Sequence, residues 1–179
     1  MHGIIFAELK KYVDARLGAD AWRPLLREAG LGSRIYVPVR TYPDEEVVAL
    51  VSAASRTTGL APAAILEDFG EFIAPDLIGM YRSLIRAEWR TLDFIANTEQ
   101  TIHKVVRLND SQALPPEIAC TRSGSREVVV HYNSPRRMCA VARGIIRGVA
   151  AHYGEQVVVT EPRCMHRGDP ACEISVALA

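Results

Sequence analysis

The chain has 179 residues, 49% of them hydrophobic and 23% charged, and its 21 basic and 21 acidic side chains cancel. That length fits one domain able to bury roughly 70% of the surface its unfolded form exposes, and the composition excludes disordered and fibrous classes. Balanced charge excludes a broad basic field for nucleic acid or an anionic membrane.

No apolar run is long enough to cross a bilayer, and Glu8, Lys10 and Lys11 interrupt the N-terminal apolar residues at helical spacing instead of leaving a signal sequence. A cytoplasmic protein is expected, with its four cysteines reduced at the outset. Ile4, Ile5, Leu9, Tyr12, Val13 and Leu17 recur at intervals of three and four, which predicts an amphipathic helix stopping at Gly18. Trp22, Leu25, Leu26 and Ala29 predict a second helix up to Gly30. The stretch from Arg34 to Pro43 contains two prolines and reads as an extended connection. Asp44 is placed to cap a helix carrying Val47, Val48, Val51 and Ala54. Another helix is expected from about Pro62 to Phe69, ended by Gly70 and followed by an apolar region with Phe72, Ile73, Leu77, Ile78, Met80 and Tyr81.

A long helix is predicted from about Thr91 to Leu108, on which Leu92, Ala96, Glu99, His103 and Val106 share one stripe, so the His103 imidazole is expected to be buried. An isolated buried histidine is ordinarily a structural residue with both nitrogens satisfied. After Pro115 and Pro116, a hairpin is expected from Ile118–Thr121 and Glu127–Tyr132 around a turn at Arg122–Ser125. Tyr132, Ser134 and Arg136 then alternate, putting two hydroxyls and a guanidinium on one side of an extended chain, where they can converge on one anionic group. Taken alone, that triplet is an ordinary solvated strand face. Pro135 predicts a strand end or edge there. Met138–Tyr153 reads as a helix ended by Gly154, and Gln156–Thr160 and Cys172–Val176 as two more strands. The pattern predicts a single α+β domain over 1–179: a helical N-terminal part, then a mixed part with a roughly four-stranded antiparallel sheet crossed by one helix.

The opening Met1-His-Gly-Ile-Ile-Phe6, His103 in its helix, the following Pro-Pro and Tyr132-x-Ser134-x-Arg136 together resemble the haem nitric oxide/oxygen binding (H-NOX) family. That family includes the sensor domain of soluble guanylate cyclase and stand-alone bacterial proteins, and the resemblance spans nearly the whole chain. It implies haem b, with His103 as iron ligand and its other ring N–H held by an acceptor, and with Tyr132, Ser134 and Arg136 clamping the propionates. It also implies that Ile5 and Pro116 press on the macrocycle; from the residues alone they are a core residue and a helix stop. The pocket would be furnished by Ile4–Phe6, Phe72–Ile78 and Val141–Ile146, which includes Ile145. Oxygen-binding members place a tyrosine where this sequence has Val141 and hydrogen-bonding partners where it has Leu9 and Ile73. The expectation is therefore a sensor of nitric oxide and carbon monoxide that excludes oxygen. Release of the iron–His103 bond would signal to a separate effector, by resemblance a histidine kinase or a cyclic-dinucleotide enzyme acting in trans.

Cys139, Cys164 and Cys172, with Glu161 and His166 nearby, have the ligand types of a tetrahedral zinc site. The resemblance implies such a site, since the three cysteines match the thiolates of some bacterial members; this chain departs at the fourth position, where it has Glu161. Glu161, His166 or solvent could complete the shell. The same cysteines also read as small buried hydrophobes or as a thiol switch. A zinc or thiol redox sensor on the same fold, with haem secondary or absent, is the competing function. Cys120 reads as structural. His2, His131 and His152 lack partners at metal or catalytic spacing, and the adjacent Glu67 and Asp68 point in different helical directions. No serine nucleophile motif, phosphate loop or acidic metal cluster appears, so no enzyme is expected. A haem peroxidase or dioxygenase would need the distal donors this sequence lacks.

Overall fold

In the computed structural model, which describes residues 1–110 and 113–179, the chain forms two compact units, Met1–Phe69 and Gly70–Ala179. The first contains α1 (Gly3–Leu17), α2 (Trp22–Glu28), α3 (Asp44–Thr58) and the beginning of α4 (Pro62–Met80). On α1 the predicted stripe holds at its centre: Leu9, Tyr12 and Val13 are buried together with Phe6, while Ile4 and Ile5 are half-buried and Leu17 is exposed. The predicted connection between α2 and α3 is held by aromatic packing. Tyr36 stacks on Phe6 with ring centroids 4.1 Å apart and meets Tyr42 edge-on at 4.8 Å. Asp44 does not cap α3. Pro43 occupies the cap position and Asp44 is the first helical residue, one step too far for the capping bond; its carboxylate instead pairs with the Met1 ammonium at 2.6 Å.

The second unit holds the rest of α4, then α5 (Thr91–Asn97), a π turn (Glu99–His103), α6 (Lys104–Asn109), β1 (Glu117–Ser123), β2 (Glu127–Asn133), α7 (Cys139–His152), β3 (Val157–Arg163) and β4 (Cys172–Leu178). The strands form one antiparallel sheet in the order β1-β2-β4-β3, which makes the fold α+β as predicted. Alternation decides which face is covered. Val128, Val130 and Tyr132 of β2 lie directly opposite Val176, Ile174 and Cys172 of β4. All six are buried, in one cluster with Leu92 and Ile95 of α5 and Ile146 of α7. Among the described residues no single helix is long and apolar enough to cross a membrane.

Three irregularities depart from the sequence reading, and each has a local cause. Gly70 does not end a helix; α4 runs on through it to Met80. A Cβ at Gly70 would stand 2.3 Å from the Val141 carbonyl oxygen, and one at Gly148 would stand 2.5 Å from the Ala74 Cβ. These glycines let the later part of α4 and α7 touch backbone to backbone, and that packing outweighs the roughly 1 kcal/mol by which glycine disfavours a helix.

The predicted helix from Thr91 to Leu108 is broken by the π turn, where the His103 N–H reaches the Thr98 carbonyl five residues back at 3.0 Å. Asn97, Thr98 and Thr101 donate side-chain hydrogen bonds to the carbonyls of Asp93, Phe94 and Asn97 at 2.8, 2.8 and 2.7 Å. Such bonds compete with the regular ladder and loosen it.

The third irregularity is a bulge in β3. Thr160 pairs with Ser175, but Arg163 pairs with Glu173, so Glu161 and Pro162 share the space opposite one β4 residue. An edge-strand bulge is where a proline, lacking its N–H, is tolerated.

Candidate functional site

His103 closes the π turn, with its side chain 14% exposed and its Nδ1 2.9 Å from Glu99 Oε2. The same carboxylate oxygen accepts the Ile118 N–H of β1 at 3.3 Å, while Oε1 takes the Arg107 guanidinium of α6. Burial pushes the Glu99 carboxyl up, but the hydrogen bonds from His103 and Arg107 outweigh it and hold the group below the usual carboxylate range. Burial also dominates at His103 and holds its imidazole below the ordinary histidine value, against the upward pull of Glu99 and a smaller one from the Pro116 backbone. An ionised carboxylate can only accept, so the proton of the neutral ring sits on Nδ1 and Nε2 keeps its lone pair. An imidazole held in this way has the form in which histidines ligate metals, with one nitrogen oriented and the other keeping its lone pair.

The Tyr132, Ser134 and Arg136 triplet is brought together differently from the sequence expectation. Tyr132 and Ser134 are buried, at 3% and 4% exposure. β2 ends at Asn133, as Pro135 foretold, and the chain then turns, with the Arg137 N–H on the Ser134 carbonyl at 3.0 Å. Arg136 therefore does not extend the strand face. Its backbone N–H donates to Ser134 Oγ at 3.3 Å and its guanidinium to the Leu114 carbonyl. The fixed φ of Pro135 and its missing ladder donor account for the turn. Tyr132 hydrogen-bonds to Ser134 and to the Met138 backbone, and burial pushes its phenol up to about 12.

The apolar residues assigned by the resemblance fall on two elements of the second unit and one of the first. Ile73 of α4 is buried, and Val141 and Ile145 of α7 are half-buried. Ile145 packs on the cluster of Ile78, Phe94, Ile102 and Val149. None of the three has a side-chain hydrogen-bond donor. Pro116 immediately precedes β1. In the first unit, Leu9 is buried and Ile5 half-buried on α1.

Cys139, Cys164, Cys172 and Glu161 form a second constellation, with their ligand atoms all within 4.8 Å of one another. Cys139 Sγ lies 3.8 Å from Cys164 Sγ, which lies 3.9 Å from Cys172 Sγ. Tetrahedral zinc with Zn–S bonds of about 2.3 Å separates its sulfurs by roughly 3.8 Å, whereas a disulfide needs about 2 Å. The β3 bulge carries Glu161 to this cluster. Its Oε2 accepts from Arg143 at 2.7 Å, and its Oε1 is buried with no hydrogen-bond partner among the described residues. His166 is not brought to the cluster: it is exposed, with its Nε2 2.7 Å from the Arg137 carbonyl oxygen. Burial pushes the Cys139 thiol up, the Glu161 charge adds to this, and burial raises Cys172 as well. A bound cation would reverse that tendency. Cys120 stands apart, half-buried, its Sγ 3.6 Å from the Ile95 carbonyl oxygen.

Sequence reasoning placed Glu99 on the His103 stripe without giving it a role and passed over Arg107 and Arg143. The available signal was the spacing of four between Glu99 and His103, which puts them on one helix face.

A haem-NO-binding (HNOB) family model matches residues 2–161. No curated protein sequence gives a match. Among solved structures, the fold is similar to that of an H-NOX protein from S. oneidensis in the Fe(II)NO ligation state, at TM-score 0.93 and 24% identity over 100% of this chain and 99% of that one. It is also similar to a mutant H-NOX protein from K. algicida in the unliganded Fe(II) state, at TM-score 0.90 and 20% identity over 100% and 97%. A mutant of T. tengcongensis H-NOX gives TM-score 0.87 and 20% identity over 99% and 97%. These likenesses establish the shared fold, and the family match extends over most of the sequence. The chain belongs to the haem-NO-binding, or H-NOX, family.

Proposed function

We propose that this protein is a haem-based gas sensor that binds nitric oxide and carbon monoxide at ferrous haem b and excludes oxygen. The observation that carries the reading is the His103 imidazole, kept neutral by burial and tied through Nδ1 to Glu99, so that Nε2 is left for iron. Tyr132 and Ser134 contribute buried hydroxyls, and Arg136 contributes a guanidinium that can exchange a backbone carbonyl for a propionate. The Pro116 backbone also hydrogen-bonds with the His103 ring, which keeps this proline close to the proposed iron ligand. The likeness to S. oneidensis H-NOX structures in the Fe(II)NO and Fe(II)CO ligation states supports the choice of gases.

Haem, if bound, would be held by His103 and would supply a ferrous iron able to take a diatomic gas. Ile73, Val141 and Ile145 offer a polar ligand no hydrogen bond, which disfavours oxygen more than nitric oxide. His103 sits at the junction of the π turn and α6 and is linked through Glu99 to Ile118 of β1. Its release lets this segment move against the sheet, a two-state change that the gas biases by differential affinity. The proposed receiver is a separate histidine kinase or cyclic-dinucleotide enzyme, and the protein itself is a sensor, not a catalyst.

The test is the anaerobic absorption spectrum of the reduced protein before and after nitric oxide. A five-coordinate ferrous haem that is lost in His103→Ala, and a five-coordinate spectrum after nitric oxide, are expected. Haem bound equally well by His103→Ala would overturn the ligand assignment, and an oxygen complex that persists in air would overturn the selectivity.

One further observation favours a second metal in the same molecule: the sulfur spacings of 3.8 and 3.9 Å beside a buried carboxylate oxygen. We infer that Cys139, Cys164, Cys172 and Glu161 hold zinc, with Arg143 steadying the carboxylate from outside.

A further inference from the structure

We propose that Glu99 is a positioning residue that shares its negative charge with His103, and that Arg107 opposes it, so that the pair sets the strength of the iron–His103 bond. The proposal rests on the haem reading above and adds to it a means of tuning. A ring N–H donated to a neutral backbone carbonyl only orients an imidazole, whereas the same N–H donated to a carboxylate draws the proton outward and makes the opposite nitrogen more electron-rich. His103 has the second arrangement as its main contact, with Nδ1 2.9 Å from Glu99 Oε2 and a weaker backbone partner at Pro116.

Glu99 is also unable to turn away. Oε2 receives the Ile118 N–H at 3.3 Å and Oε1 receives Arg107, so both oxygens are fixed by different elements, β1 and α6. The His103 and Glu99 side chains are 14% and 21% exposed, so their interaction is screened far less than that of a surface pair. Arg107, 39% exposed, pulls charge toward the far oxygen and so reduces what His103 receives. The two side chains thus act on one nitrogen with opposite sign. A stronger donor at iron holds on longer after nitric oxide binds, so Glu99 raises and Arg107 lowers the threshold for releasing the helix.

The experiment compares wild type, Glu99→Gln and Arg107→Met. The readouts are the iron–histidine stretching frequency of the ferrous protein, the ferric/ferrous potential and the rate of iron–histidine release after nitric oxide. Glutamine keeps an acceptor for Nδ1 but removes the charge, so the frequency should fall, the potential should rise and release should be about 10-fold faster, the scale on which second-sphere partners tune metal sites. Arg107→Met leaves the His103–Glu99 hydrogen bond in place while removing the positive charge on the far oxygen, and should move all three readouts the other way. If wild type binds haem through His103 but Glu99→Gln leaves frequency and potential unchanged, the haem reading stands and this proposal falls. Shifts of both variants in one direction would report disturbed packing and would also overturn it. Should Glu99→Gln fail to fold, Arg107→Met decides by itself, since no change there is incompatible with the proposal. Wild type that binds no haem removes the underlying reading instead.

Discussion

The two polar centres of the second unit each set a glutamate and an arginine beside candidate ligand side chains, and they leave the glutamate in opposite states. One joins His103 to Glu99 and Arg107, the other joins three cysteines to Glu161 and Arg143. Each lies at a point where a regular element is interrupted, a π turn in the first case and a β-bulge in the second. At Glu99 both oxygens are engaged, by His103 and Ile118 on one side and Arg107 on the other. At Glu161 one oxygen is engaged by Arg143 and the other is buried with no hydrogen-bond partner among the described residues. A buried carboxylate oxygen in that state costs free energy unless a cation meets it. The difference lies in how many glutamate oxygens are satisfied, and on the readings proposed above the satisfied Glu99 tunes a ligand while the open Glu161 oxygen binds a metal.

The sharpest break of this comparison is a crossed metal analysis. Cys164→Ser should lose more than roughly 100-fold in zinc affinity, since even outer-sphere losses reach that scale, while its haem spectrum stays at wild-type level. His103→Ala should lose haem and keep zinc. Equal zinc in wild type and Cys164→Ser would remove the second centre altogether.

A smaller effect should touch both centres, because α7 carries Cys139 at its start and Val141 and Ile145 along its length. In Gly148→Ala the new methyl meets the Ala74 Cβ at 2.5 Å and the Glu71 carbonyl oxygen at 2.7 Å. Forcing these apart should cost about 1–3 kcal/mol in denaturant unfolding and loosen both metals. Unchanged stability would show that α4 and α7 can separate without cost.

The smallest effect is a control outside both centres. In the first unit Asp68 accepts from Arg16 at 2.7 and 2.9 Å and from Tyr12 at 2.8 Å. The Arg16 bonds hold the Asp68 carboxyl below the usual range, against burial. Because the folded-state value is the lower one, the stabilisation is fully present above the unfolded carboxyl value, near pH 4, and is lost as pH falls through the folded one. The carboxylate is 42% exposed, so screening limits the pair to under about 1 kcal/mol. The melting-temperature difference between wild type and Asp68→Asn should therefore be small at pH 7 and shrink steadily as pH falls below about 4, with haem and zinc content equal in both. A difference that grows on acidification would contradict this assignment.

Periodicity and residue type were enough for much of the molecule. Spacings of three and four announced α1, stop signals bounded α2 and α7, and apolar runs around a turn announced the strands, because such local patterns report core or solvent directly. His103, the Tyr132 triplet and the cysteine set were singled out chiefly by their resemblance to a family, because taken alone each also reads as a structural or solvated group. Other features depended on groups distant in the chain or on competition for the same backbone bonds. Gly70 read as a stop until Val141 stood 2.3 Å from where its Cβ would be. The π turn depended on side chains taking carbonyls from the helix, and Arg136 left the strand face because Pro135 turned the chain. Glu161 displaced His166 as the fourth candidate ligand only because the bulge brought it to the thiols. Sequence spacing thus determined which chemistries were available, and the tertiary structure decided which carboxylate met which ligand, because hydrogen bonds and metal bonds are set by distances of a few tenths of an ångström that no local pattern encodes.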